Sequence, residues 1–121
     1  MPLPESDDQL LLLHNPRCSK SRATLALLEE KGVAFEVRLY LEDPLSREEL
    51  ASVGKRLGRP ASAFARKKEG AYAEAGCGPD SSEDEILDAM AGAPILMERP
   101  ILVRGSRAAV GRPPEDVLEL L

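Results

Sequence analysis

The sequence predicts a single α/β domain that opens with a β-α-β unit, continues through a helical insertion and closes with a β-β-α unit. Its 121 residues fall within the usual length of one domain. With 43% hydrophobic and 31% charged residues, the chain can form both an apolar core and a solvated surface. A strand, a helix and a strand follow one another within about thirty residues, the pattern of a parallel crossover unit.

Hydrophobic periodicity predicts the first three elements. Residues 10–13 form an unbroken apolar run before a turn-forming His-Asn-Pro, so we expect a central strand buried on both faces. Residues 19–31 contain no helix breaker before Gly32, which predicts the first helix. Apolar residues alternate with charged ones over 35–39, which predicts an edge strand with Arg38 on its wet face.

Helix-start signals mark the middle of the chain. A serine followed three positions later by a glutamate is a capping box, and it occurs at Ser46 with Glu49 and at Ser82 with Glu85. Between the two helices we expect a short helical turn and a loop over 64–80. Together these segments form a predicted helical insertion over about 46–92.

The last elements are two strands and a helix. Apolar runs at 101–103 and 108–110 flank Gly105 and Ser106, which predicts a hairpin with a two-residue turn. Two consecutive prolines then introduce a final helix at 117–121. Because a hairpin is antiparallel and the first unit is parallel, we expect a mixed sheet.

Composition bounds the function and the domain organisation. The net charge of −5 argues against nucleic-acid binding, which requires a basic surface. No apolar run approaches the roughly 18 residues of a membrane span, and no signal segment opens the chain, so we expect a cytoplasmic protein. Residues 1–8 predict a flexible tail with nothing to bury, ahead of a domain at 9–121.

The candidate chemistry centres on Cys18, one of only two cysteines in the chain. It falls between the end of a buried strand and the first turn of a helix, where unpaired backbone N–H groups favour a thiolate over a thiol. Nearby cations, Arg17 and Arg22, should favour it further. The same donors favour anion binding, so the sequence indicates a nucleophilic thiol beside an anion site.

At this segment the sequence resembles the glutaredoxin-coupled arsenate reductase family. The family pattern His-Asn-Pro-x-Cys-x-x-Ser-Arg is met at His14, Asn15, Pro16, Cys18, Ser21 and Arg22. The resemblance continues at Tyr40-Leu41-Glu42-Asp43-Pro44, Arg66-Lys67, Tyr72, Gly76, Pro94-Ile95-Leu96, Arg99-Pro100 and Gly111-Arg112-Pro113. It therefore spans nearly the whole chain after the tail.

The resemblance implies a thioredoxin-like fold and a specific chemistry. Cys18 would attack arsenate, while Arg66, Arg99 and Arg112 would hold the oxyanion. Glutathione would be a co-substrate and glutaredoxin a partner, with no metal and no bound organic cofactor. Pro100 resembles the proline that follows a cis peptide bond beside the cysteine in thioredoxin-like folds.

Several of these residues also have ordinary structural interpretations. His14 could tune the Cys18 thiolate or pass protons, or it could be a structural hydrogen-bond partner. Asn15 could bond backbone groups of its own loop. The three arginines could be solvated surface charge, and Cys77 could be an unreactive small residue or could resolve an oxidised Cys18. Ser21 and Arg22 complete the candidate catalytic segment.

Two other functions are open on the sequence. Redox regulators that bind RNA polymerase belong to the same superfamily. They commonly carry Cys-x-x-Cys, whereas this chain has Ser21 in place of the second cysteine. A general glutathione-dependent thiol reductase without an oxyanion substrate is the third interpretation. A glutathione-coupled arsenate turnover assay separates the three.

Overall fold

The computed structural model describes residues 1–121, which divide into two compact units. The first unit comprises Met1–Asp43 and Arg99–Leu121 and contains the sheet. The second unit is Pro44–Glu98, and its elements follow the second strand and precede the third. No helix combines the length and the apolar character that crossing a membrane requires.

The sheet of the first unit has four strands in the order β2-β1-β3-β4. They are β1 at Leu10–His14, β2 at Glu36–Leu39, β3 at Ile101–Arg104 and β4 at Arg107–Val110. Strand β1 pairs in parallel with β2 and antiparallel with β3, which pairs antiparallel with β4. Helix α1, at Ser19–Glu30, connects the parallel pair. The predicted β-α-β unit and mixed sheet are confirmed.

The core of the first unit explains why β1 is central. Leu12 and Leu13 on opposite faces of the strand have no exposed surface. Leu12 belongs to a core cluster with Leu28 of α1, Leu102 of β3 and Val117. Full burial of such a side chain contributes about 1.5–3 kcal/mol. This cluster packs α1 against the sheet and so fixes the junction between β1 and α1.

The edge strand β2 departs from the expected alternation at Arg38. Its side chain is only 3% exposed, so its predicted place on a wet face is wrong. The guanidinium donates to the carbonyl oxygens of Asp43 and Met1, and Nε lies 3.3 Å from the Asp43 carboxylate. The prediction fails because Met1, which is distant in sequence, and Asp43, five residues further along the chain, bring oxygen acceptors onto this face.

Residues 1–8 form no helix or strand, but they contact the hairpin. The expectation that they have nothing to bury is wrong for Pro4, which is buried. The carbonyl of Asp7 accepts a hydrogen bond from Arg104 Nε at 2.7 Å. The two-residue turn is confirmed, and Gly105 adopts φ +54° there with Asp7 so close that no Cβ would fit.

The final helix is a 3₁₀-helix at Pro114–Leu120 rather than the expected α-helix. Its two buried side chains, Val117 and Leu120, are three residues apart and therefore share one face of a 3₁₀-helix. Pro113 precedes the helix, and its carbonyl accepts a bond from the N–H of Asp116, three residues on.

The second unit is helical. It contains α2 at Arg47–Leu57, α3 at Ala61–Phe64, α4 at Gly70–Glu74, α5 at Glu83–Gly92 and a 3₁₀ segment at Pro94–Leu96. Both predicted capping boxes form, at Ser46 and at Ser82. The short helical turn expected over 64–80 is α4, whereas α3 was not predicted. An isolated antiparallel bridge joins Ala65, which follows α3, to Met97, which follows the 3₁₀ segment.

Candidate active site

Cys18 lies in the first unit, at the junction of β1 and α1. It is the residue immediately before α1 and has an extended backbone. Its N–H donates to the carbonyl of Asn15 and its own carbonyl accepts from the N–H of Arg22, both at 3.0 Å. The thiol is half-buried, and its sulfur lies beside the first N–H groups of the helix, those of Lys20 and Ser21.

The pKa of the Cys18 thiol is lowered. Partial burial acts to raise the pKa, but hydrogen bonds from the backbone N–H of Ser21, the Arg99 side chain and the backbone N–H of Lys20 outweigh it. The positive charge of Arg99 lowers the pKa further. A lowered pKa increases the fraction of nucleophilic thiolate at neutral pH.

The cation that acts on the sulfur differs from the expected ones. Neither Arg17 nor Arg22 is among the groups that lower the Cys18 pKa. Arg22 Nη1 instead donates to the carbonyl of Pro16 at 2.9 Å and braces the loop. The active cation is Arg99, more distant in sequence, which residue spacing near Cys18 could not show.

The side chains of Arg99 and Arg112 both contact the Cys18 sulfur. Arg112 Nη2 lies 3.9 Å from Cys18 Sγ, and Arg112 Nε donates to the carbonyl of Arg99 at 2.8 Å. Arg99 Nε and Nη1 are buried and have no hydrogen-bond partner. Because unsatisfied buried donors cost free energy, these atoms are suited to an anionic ligand.

Backbone geometry places the two arginines. The Arg99–Pro100 peptide bond is cis, as expected, and so is Arg112–Pro113, which was not predicted. The N–H of Gly111 donates to the carbonyl of Pro100 at 2.9 Å. A Cβ at Gly111 would lie 2.7 Å from Thr24 Oγ1 and 2.8 Å from Pro100 Cγ. Only glycine therefore allows this close approach directly before Arg112.

The sequence analysis did not single out Thr24. Its side chain is completely buried in α1, and Oγ1 donates to the carbonyl of Lys20 at 2.9 Å. The sequence does not indicate a role for this threonine, because its close approach to Gly111 joins residues far apart in sequence.

Buried polar side chains organise the loop before Cys18. His14 Nδ1 lies 2.7 Å from Ser21 Oγ, which also accepts a bond from the Asn15 N–H. The Ser21 hydroxyl proton is then available to Nδ1, and we assign the ring proton to Nε2. Burial and then the charge of Arg22 lower the pKa of His14, which favours a neutral ring. The contact with Ser21 thus makes His14 a structural hydrogen-bond partner, which is one of its two predicted roles.

Asn15 has the expected loop-bonding role. Its Oδ1 accepts a hydrogen bond from the Arg17 N–H at 3.0 Å. Its carbonyl accepts the Cys18 N–H, so Asn15 holds the segment that carries the thiol.

Arg66 lies in the second unit and pairs with a residue that the sequence analysis missed. Arg66 Nη2 lies 3.3 Å from Glu69 Oε1, and Arg66 Nη1 is buried with no hydrogen-bond partner. Opposite charges three residues apart were the sequence signal that could have predicted this ion pair.

Cys77 is also in the second unit, as a free thiol 4.0 Å from the carbonyl of Glu85. No group of three or more His, Cys, Asp or Glu side chains is arranged to hold a metal ion.

The model of the ArsC family matches residues 13–120. The chain belongs to the ArsC family. Among its relatives, the uncharacterized protein YfgD of Escherichia coli K12 is 49% identical over 115 residues, which cover 93% of this chain and 97% of that protein. An arsenate reductase of Neisseria meningitidis serogroup B is 44% identical over 115 residues, which cover 93% and 98%.

Solved structures of the ArsC type share the fold. The arsenate reductase from Vibrio cholerae superposes with a TM-score of 0.89 at 47% identity and covers 93% of this chain and 98% of its own. The mixed sheet and its helices therefore form a thioredoxin-like fold, as the sequence predicted.

Proposed function

We propose that this ArsC-family chain reduces arsenate to arsenite, with Cys18 as the nucleophile. The observation that carries the proposal is a low-pKa thiol contacted by two arginines, one of which has buried donors without a partner. Relatives named arsenate reductase, from Neisseria meningitidis and Vibrio cholerae, support an oxidoreductase acting on this oxyanion.

Arginine suits the binding of the substrate. Its planar guanidinium can bond two oxygens at once, and arsenate carries several. Fixed cations are needed because the net charge of −5 otherwise repels an anion. We assign this role to Arg99 and Arg112, and also to Arg66, whose Nη1 is a further buried donor without a partner. His14, Asn15, Ser21 and Arg22 position the loop.

The proposed reaction proceeds through sulfur. The Cys18 thiolate attacks arsenic(V), an As–S bond forms, and one arsenate oxygen leaves as water after taking up protons. The thiol of glutathione then displaces a second oxygen as water. A glutaredoxin thiolate attacks the glutathione sulfur, forms a mixed disulfide and leaves the bonding electron pair on arsenic, which becomes arsenic(III). Water finally releases arsenite and restores Cys18.

The need for an external thiol follows from electron counting. Reducing arsenic(V) to arsenic(III) takes two electrons, and the segment after Cys18 has Ser21 where a second thiol would stand. Glutathione supplies the missing thiol as a co-substrate, and no bound cofactor is required. We place the reaction in the cytoplasm, where thiol pools are kept reduced.

The test is arsenite production by the purified chain with arsenate, glutathione, glutaredoxin and a recycling system. We expect arsenate-dependent turnover that Cys18→Ser abolishes and that omission of glutathione also abolishes. Reduction of glutathione mixed disulfides at the same rate without arsenate turnover would identify a general thiol reductase instead. Stable binding to RNA polymerase without turnover would support the regulator.

A further inference from the structure

The ion pair between Arg66 and Glu69 places a carboxylate beside an unused donor. Arg66 Nη2 lies 3.3 Å from Glu69 Oε1, whereas Nη1 is buried without a hydrogen-bond partner. The two nitrogens are bonded to the same carbon, so an anion that binds Nη1 comes close to the carboxylate. The side chains are only 24% and 31% exposed, which limits screening by water.

The backbone fixes this pair. The N–H of Arg66 donates to the carbonyl of Leu96 at 2.6 Å, and the N–H of Glu69 donates to the carbonyl of Arg66 at 3.1 Å. Glu69 directly precedes α4, where a carboxylate could cap the helix, yet its side chain makes no capping bond. The carboxylate is directed to the guanidinium instead.

A carboxylate beside a bound anion discriminates between oxyanions by their protonation. An ionised carboxylate only accepts hydrogen bonds, so it can bond an anion that carries a hydroxyl group. Near neutral pH both arsenate and phosphate retain a hydroxyl, whereas sulfate has none. Sulfate would therefore meet an unpaired negative charge in a partly buried site, which is unfavourable.

We propose that Glu69 is a specificity-determining residue, which makes the anion site at Arg66 select oxyanions that carry a hydroxyl over fully deprotonated ones. This inference rests on the proposed function, because it takes Arg66 as a ligand of the substrate. It gives Glu69 a role in excluding sulfate, an anion of similar size and charge.

Equilibrium binding of inorganic phosphate and of sulfate to the whole chain tests this, since neither anion is reduced. In Glu69→Gln we expect sulfate to bind at least about tenfold more tightly while phosphate changes about twofold or less. Glu69→Ala should shift the ratio in the same direction, so the result does not depend on one variant folding. Glu74→Gln, which removes an exposed carboxylate of α4, is the matched control and should leave the ratio unchanged.

Equal tightening of both anions would show that Glu69 only competes with them, and equal weakening would show that it only holds Arg66 in place. Either result, or no change, overturns the inference. So does undetectable phosphate binding, or an Arg66→Gln variant that binds both anions like the wild type. A shifted ratio in a chain without arsenate turnover would refute the proposed function and leave the selectivity intact.

Discussion

At the scale of single residues, Cys18 shows how a few donors decide the state of a thiol. Burial alone raises the pKa of a cysteine, and a half-buried thiol would ordinarily be a poor nucleophile. Here two backbone N–H groups and Arg99 contact the sulfur and reverse the direction of the shift. The contribution of Arg99 comes from a side chain that can be changed without altering the helix.

Replacing Arg99 should raise the pKa of Cys18. In Arg99→Gln the hydrogen bond weakens and the positive charge is lost, so we expect the pKa of Cys18 to rise. At neutral pH the thiolate fraction and the rate of alkylation should fall accordingly. Ultraviolet thiolate absorbance as a function of pH measures this, with Cys18→Ser to identify the signal. Arg17→Gln, an exposed cation that does not act on the sulfur, should leave the pKa unchanged, and equal effects would contradict the assignment.

Arg38 should contribute to stability despite its charge. In Arg38→Met the carbonyl oxygens of Met1 and Asp43 lose a buried donor, so we expect a loss of about 1–3 kcal/mol in the free energy of unfolding. Little of this comes from the ion pair itself, because the Asp43 side chain is 51% exposed. Urea denaturation measures the loss. Arg59→Met at an exposed position should change it by less than about 0.5 kcal/mol, and similar values for both would refute the argument.

At the scale of elements, the contact between the end of β4 and α1 brings the arginines to the thiol. Gly111 follows β4, and the space for a side chain there is already occupied by Thr24 and Pro100. Packed interiors do not absorb an added methyl group without displacement. The approach of these two elements is therefore set by the absence of one Cβ atom.

Gly111→Ala should destabilise the chain by about 1–3 kcal/mol, because the new methyl group overlaps Thr24 and Pro100. The matched substitution Gly92→Ala lies at the exposed end of α5 with nothing within 4 Å, so it should stabilise the chain by about 0.5–1 kcal/mol. Thermal or urea unfolding distinguishes them. Stabilisation by both substitutions would show that glycine entropy, and not close packing, controls position 111.

At the scale of the whole molecule, the chain holds two free thiols, and they lie in different units. Cys18 has donors around its sulfur, whereas the Cys77 sulfur lies 4.0 Å from a backbone carbonyl. A carbonyl oxygen accepts hydrogen bonds and donates none, so the groups around the two sulfur atoms differ.

Cys77→Ser should retain most of the arsenate turnover, whereas Cys18→Ser should retain none. The reason is that glutathione supplies the second thiol in the proposed reaction. Coupled arsenate assays on both variants, with mass analysis of the oxidised wild type, provide the measurement. An inactive Cys77→Ser together with a disulfide between Cys18 and Cys77 would place the chain among intramolecular reductases.

Much of the fold could be predicted because its signals are local. The unbroken apolar run of β1, the two capping boxes and the turn at Gly105 each depend on neighbouring residues. Predictions failed where the local pattern did not fix the outcome. Arg38 is buried by contacts with Met1, which is distant in sequence, and with Asp43, and the final helix is a 3₁₀-helix rather than the predicted α-helix. The alternation of apolar and charged residues along a strand does not predict which other segments pack onto its polar face.

The sequence by itself determined the order of the strands and helices and the position of Cys18 at a helix start, since each depends on contiguous residues, and its resemblance to a known family implied the thioredoxin-like fold. Only the tertiary structure decided which cation lowers the pKa of the thiol. It selected Arg99, which is distant in sequence, over Arg17 and Arg22. The physical reason is that electrostatic and hydrogen-bond energies depend on distances between atoms, and folding sets those distances independently of separation along the chain.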